Sequence, residues 1–218
     1  MFKKTHSSSI PPASQPAHLH LENDPIAQQT DWGPAKSGGA NFKTHKLQRL
    51  SDTRYQFKAS AGALIFYLIF IVAGIGAFIL AASGALADKG PMAIGIVSII
   101  GLTFTTAGSA MLYFGAMPIN IDSKHQAFWR GKKDPTQVFD KTKLKDYAAF
   151  SDIHAIQLVS EYCTGSKNNG SYYSYEINLV LTNSERINVI DHGNKYVVVD
   201  DACKLAEFTG KPLWNMIS

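Results

Sequence analysis

Between Lys58 and Asp88 the chain has no Asp, Glu, Lys, Arg or His, and between Lys89 and Asp122 it again has none. These gaps leave uncharged runs of 29 and 32 residues, 59–87 and 90–121. Proton relays, ion paths and voltage sensors need ionisable groups inside their spans, so a pump or transporter is not expected. Cysteine is scarce too: Cys163 and Cys203 have no metal-ligand spacing, and in a reducing compartment they are expected as buried or semi-buried thiols. No Gly-rich phosphate loop, paired metal ligands or nucleophile elbow is present, which removes the usual signatures of nucleotide, metal and hydrolase chemistry. Neither a cofactor nor a metal is expected.

What the two uncharged runs do contain is apolar. About 20 apolar residues at 1.5 Å each span a bilayer core of roughly 30 Å, and both runs exceed that length. The expectation is an antiparallel transmembrane hairpin over residues 59–117, with spans at about 61–86 and 91–117. The first span begins too far into the chain, and is too long, for a signal peptide. Lys43, Lys46, Arg49, Arg54 and Lys58 precede the hairpin, and Lys124, Arg130, Lys132 and Lys133 follow it. The connector at 87–91 carries one charge of each sign. The positive-inside rule therefore puts both termini in the cytoplasm. Ala73, Ala77, Ala81 and Ala85 in the first span, and Gly101, Thr105 and Ser109 in the second, recur every four residues. Such small-residue stripes let helix backbones approach in lipid, either within the hairpin or between two copies of the chain.

Residues 1–58 read as a largely disordered basic tail, rich in Ser, Pro, Gln and Gly towards its start. His18 and His20 lack the closed ligand set that a metal needs. Phe42 to Phe57 mixes cations with aromatics, as either an interfacial segment or a solvated linker would.

Residues 118–218 change to the pattern of a soluble α+β domain. Ile119, Ile121 and 127–130 suggest a hairpin starting directly after the second span, followed by a charged linker over 131–149. Further strands are expected around Ile153–Val159, Tyr173–Leu181 and Arg186–Asp191, the second having the strongest period of two. Val198, Ala202, Leu205 and Phe208 share one helical face, with Gly210 as a C-terminal stop and Trp214 packed back on the sheet. A cross-strand pair of Glu176 with Arg186 would support the register. The most enzyme-like run, Arg186 to Gly193, offers Arg186, Asp191 and His192 as weak candidates. Adjacent strand residues point to opposite faces, however, so Asp191 is poorly placed to orient His192. A turn with a positive φ at Gly193, capped by Asn194 or Asp191, is the plainer reading.

Charge is unevenly distributed. Residues 122–145 hold seven Lys or Arg against three Asp, and residues 146–218 hold five basic against nine acidic residues. Lys124, Arg130, Lys132 and Lys133 are the candidates for contact with anionic headgroups, at about 1 kcal/mol per cation. The acidic distal part argues against a nucleic-acid partner.

Ile153-His154-Ala155-Ile156-Gln157-Leu158, Tyr175 to Leu181, Leu205 to Phe208 and Pro212-Leu213-Trp214 resemble segments of uncharacterised bacterial inner-membrane proteins, in which two transmembrane helices carry a pleckstrin-homology-like cytoplasmic domain. The resemblance covers about residues 60–214 and carries no catalytic motif. It implies an antiparallel sheet closed by one C-terminal helix, an inner-membrane location, and no catalytic residues to transfer. The function expected is a non-enzymatic, membrane-anchored module that presents its domain to a protein partner or to lipid headgroups. A small accessory subunit of a larger membrane complex, associating through its helices, is the main alternative, and a membrane-bound hydrolase around Asp191 and His192 a weaker one.

Overall fold

The computed structural model of the chain describes residues 21–140, 144–164 and 170–217. Residues 1–20, with His18 and His20, lie outside them, as does most of the polar loop at 165–171. The first described element is a short helix, α1 (Pro25–Gln29), capped by Asp24, whose carboxylate accepts from the Ile26 and Ala27 amides.

Two strands follow where a disordered tail was expected. β1 (His45–Ser51) and β2 (Arg54–Ala59) pair antiparallel, with Leu47 opposite Phe57. Phe57 is fully buried. The strand signal was masked because Lys46, Arg49, Arg54 and Lys58 crowd the few apolar positions of an amphipathic hairpin.

β2 runs almost directly into α2 (Ala61–Ala82), with Ser60 between them as N-cap, its hydroxyl accepting from the Ala63 amide. After a single 3-10 turn at Ala87–Lys89, α3 (Gly90–Gly115) returns. It delivers the chain to β3 (Ile119–Asp122), which pairs with β2 so that Phe57 faces Ile119. The helical hairpin is thus an insertion between two neighbouring strands of one sheet. Both helices are long and apolar enough to cross a membrane. They are not core helices of the domain, since Val72, Ile79 and Ile99 are 67%, 64% and 66% exposed.

β4 (Ala127–Arg130) and β5 (Lys145–Ala149) complete a five-stranded antiparallel sheet in sequence order. β5 lies in the segment read as a charged linker. Its alternation is broken by a register shift and by Asp146 at φ 53°, which hides the period of two.

The second sheet is built from β6 (Ile153–Cys163), β7 (Tyr172–Leu181) and β8 (Arg186–His192). Next come α4 (Lys195–Thr209) and a short β9 (Leu213–Asn215) that pairs parallel to β6, giving the order β8-β7-β6-β9. Asn194 caps α4 through the Val197 amide, and Gly210 ends it in the left-handed region at φ 65°. Gly193 is not at positive φ. A Cβ there would instead sit 2.5 Å from the Asn41 carbonyl oxygen and 2.6 Å from the Phe42 nitrogen, so close backbone approach is what requires glycine. Phe57, Ile121 and Phe128 from the first sheet, Ile156 and Ile177 from the second, and Leu205 from α4 share one core. Cys163 is buried, whereas Cys203 is exposed rather than semi-buried, and both are free thiols.

One side chain on α4 fits this packing poorly. Asp201 is buried, one of its carboxylate oxygens has no hydrogen-bond partner, and burial pushes its carboxyl up to about 6. A folded value above the ordinary 3.8 means the native state holds the proton more tightly. The stability tied to this group is therefore present near pH 4 and lost as pH rises through about 6. Asp201→Asn keeps the shape without the charge. It is expected to add about 1–2 kcal/mol at pH 8 and little at pH 4, read from thermal melts at the two pH values.

Candidate functional site

The outer face of the second sheet is polar, and the chain covers it with its own N-terminal segment. Trp32 packs against Trp214 with the rings tilted by 35° and centroids 5.4 Å apart, and Asp24 meets His154 at 2.7 Å. From there residues 31–44 run as a strap across β6, β7 and β8. The buried Glu176 accepts from the Ala35 and Lys36 amides at 2.8 and 3.0 Å, and Glu161 accepts from the Gly38 and Gly39 amides, both at 3.1 Å. Arg186 donates to the Gly33 carbonyl at 2.6 Å and to Asp31 at 3.2 Å. Arg186 therefore clamps the strap and does not pair with Glu176. Arg186 lies opposite Val180, close to the β7–β8 turn, and the residue opposite Glu176 is Asp191.

The strap ends where the helices leave the domain. The Ser60 amide donates to the Thr44 carbonyl, the Ser60 hydroxyl donates to the Lys43 carbonyl, and the Gly193 amide donates to the Phe42 carbonyl. On the other side, the Gly131 amide donates to the Pro118 carbonyl. These bonds draw exposed lysines into a collar around the helix bases: Lys43, Lys46 and Lys58 on one side, Lys132 and Lys133 on the other. Lys124 lies at the β3–β4 turn, the far end of that hairpin, since Ile119 rather than Asp122 pairs with Arg130. Arg130 is not free for a surface either. It pairs with Asp146 at 2.6 Å and donates to the Asn188 and Val189 carbonyls, tying the two sheets together. Phe42 packs on Phe66 of α2, with centroids 6.2 Å apart.

Inside the collar is an open cleft of about 510 Å³ between the strap, the helix bases and the ends of β4 and β8. His45, Tyr67, Phe114, Arg130 and Asp191 line it, with Lys36 and Ser37 of the strap. Burial, and then the Arg130 charge, push His45 down to about 4, so it is neutral at physiological pH. Burial, and then the Glu176 charge, push Asp191 up to about 6. Asp191 accepts from the Asn188 side-chain amide at 3.1 Å. His192 is fully buried on the other side of the strand, where its Nδ1 accepts from the Asn194 amide and burial lowers its pKa. Asp191 and His192 do not meet, so β8 offers no acid–base pair at this point. Among the described residues, no group of three or more His, Cys, Asp or Glu could hold a metal.

The residues expected to pack the helices divide into two sets. Gly101 is buried, and a Cβ on it would lie 3.3 Å from Ala77. Thr105 lies against Gly74, and Ala77 and Ala81 are part-buried, whereas Ala73, Ala85 and Ser109 are exposed. Gly74, Gly108 and Gly115, not anticipated, lie directly in the seam, against Thr105, Ile71 and Tyr67. The buried Gly74 and the part-buried Tyr67, Phe70, Ala77 and Ala81 alternate steps of three and four. An average step of 3.5 keeps a seam on the partner, whereas a step of four turns away by about 40° each time. Spacing by threes and fours around the glycines was the available signal.

No protein-family model, no curated protein and no solved structure matches the chain.

Proposed function

We propose that the two apolar helices cross a bacterial inner membrane and hold the α+β domain flush against its cytoplasmic surface, as a non-enzymatic interaction module. The observation that carries this reading is the direct passage from β2 into α2 and from α3 into β3. Strands paired side by side leave the helices no linker, so the lysine collar must face whatever surrounds the helix bases. Lysines with interfacial aromatics, here Phe42 and the 69%-exposed Tyr113, are the composition that anionic headgroups and a bilayer interface favour. The far, acidic part of the domain is then free for a protein partner. Consecutive antiparallel strands in two sheets, followed by a closing helix, support a pleckstrin-homology-like domain with the hairpin inserted between two of its strands.

The accessory-subunit alternative draws on Ala73 and Ser109, which are small, exposed and outside the hairpin seam, and so open to a third helix; Ala85, expected in the same stripe, lies in the turn beyond the end of α2.

Topology is tested by a single cysteine in the connector, at Ala85, with Cys163 and Cys203 replaced by serine. A membrane-impermeant maleimide should label it from outside in intact cells, and the chain should stay with membranes through alkaline carbonate extraction. Release by carbonate, or labelling only after lysis, would overturn the reading.

A further inference from the structure

We propose that the cleft between the strap and the helix bases seats the headgroup of a lipid carrying both a primary ammonium and a phosphodiester, as in phosphatidylethanolamine. The proposal rests on the membrane reading above, which sets the cleft at the level where headgroups lie.

Its walls differ in chemistry. Tyr67 and Phe114 come from the helices and continue the apolar surface of the spans, so that wall suits the glycerol and the first methylenes of the chains. Asp191 on β8 also lines the cleft. Glu176 beside it has its oxygens occupied by the Ala35 and Lys36 amides and by Asn178, whereas Asp191 forms no ion pair among the described residues. The neighbouring cation in the wall, Arg130, is already matched by Asp146 and two carbonyls. A carboxylate with a second carboxylate at its side, in direct contact with no cation and reached only by the longer-range charge of Lys36 at the strap edge, attracts a cation. An ammonium satisfies it best, because it brings N–H donors as well as charge. Lys36 and Ser37, exposed at the strap edge of the cleft, offer the charge and the hydroxyl that a phosphodiester needs. A purely anionic head would meet Asp191 unfavourably, and a quaternary ammonium could not donate to it.

The test uses the full chain, delipidated in detergent micelles and titrated with phosphatidylethanolamine, phosphatidylcholine or phosphatidylglycerol, with bound lipid counted by native mass spectrometry. Phosphatidylethanolamine should be retained about tenfold more tightly than either competitor, the worth of one charge-assisted hydrogen bond. Asp191→Asn should erase the preference. Should that variant fail to fold, Ser37→Trp, on the exposed strap, should obstruct the cleft and lower retention. Glycerophosphoethanolamine, the same head without chains, should compete only weakly. Equal competition would show a soluble ligand and overturn the lipid assignment. Equal retention of the three lipids, or a preference unchanged in both variants, would overturn the proposal while leaving a membrane-inserted chain intact. A chain soluble without detergent would instead overturn the membrane reading beneath it.

Discussion

A chain cut to residues 118–218 is expected to remain unfolded, although sequence patterning alone marks that stretch as the whole soluble domain. Two of the five strands of the first sheet, β1 and β2, lie before the helices, and β2 is the strand on which β3 is zipped. Without them β3 becomes an edge of only four residues, and Ile119 and Ile121 lose Phe57, which is fully buried in the shared core. Phe57→Ala alone should cost about 3–5 kcal/mol, much of what a domain of this size has in reserve. Deleting the strap at the same time would uncover Glu176, Asn178 and Gln157 on the other sheet. The complementary result is expected of a chain in which residues 60–117 are replaced by a short Gly/Ser turn. Paired strands lie about 4.8 Å apart, and β2 and β3 are antiparallel neighbours, so a few residues close the gap. That protein should be soluble and unfold in one cooperative transition. Circular dichroism and urea unfolding of the two truncations decide the matter. A folded 118–218 fragment would mean that β1 and β2 are dispensable.

The second large effect is expected in the helical seam. A Cβ at Gly74 would lie 2.6 Å from the Thr105 backbone nitrogen and 2.7 Å from the Gly101 carbonyl oxygen, and backbone on a neighbouring helix cannot swing aside as a side chain can. Gly74→Leu should therefore push α2 and α3 apart and cost at least about 3 kcal/mol of hairpin stability. Ala73→Leu, one residue away but exposed, should change hairpin stability by less than about 0.5 kcal/mol. Thermal melts of the two variants in the same detergent, with protease protection of the connector as a second reading, make the comparison. Equal effects at 73 and 74 would place the seam elsewhere. The pair also separates hairpin packing from association with another helix, because Ala73 is available only to the latter.

Why the sequence located one set of features and missed the other follows from the range of the forces involved. Long uncharged runs, the alternation of Tyr173 to Leu181, the apolar face of α4 and its Gly210 stop are local patterns, legible without any partner. They delimited two apolar helices followed by an α+β segment. β1 and β2 are amphipathic strands in a lysine-rich context, and what makes them strands is pairing with β3, which lies 60 residues further on in the chain and only one strand away in space. The strap is extended polar chain with no period at all, ordered by carboxylates from strands more than a hundred residues distant. The helix seam was half legible: Ala77, Gly101 and Thr105 are in it, but a repeat of four cannot follow a partner that a step of 3.5 keeps in register. Arg130 and Lys124 were assigned to a surface by their charge, yet one is locked between the sheets and the other turned to the far end of the hairpin. The apolar character of the two helices was thus written in local composition. Their insertion between neighbouring strands, and the lysine collar and cleft at their bases, arise from long-range backbone pairing and could be decided only by the tertiary structure.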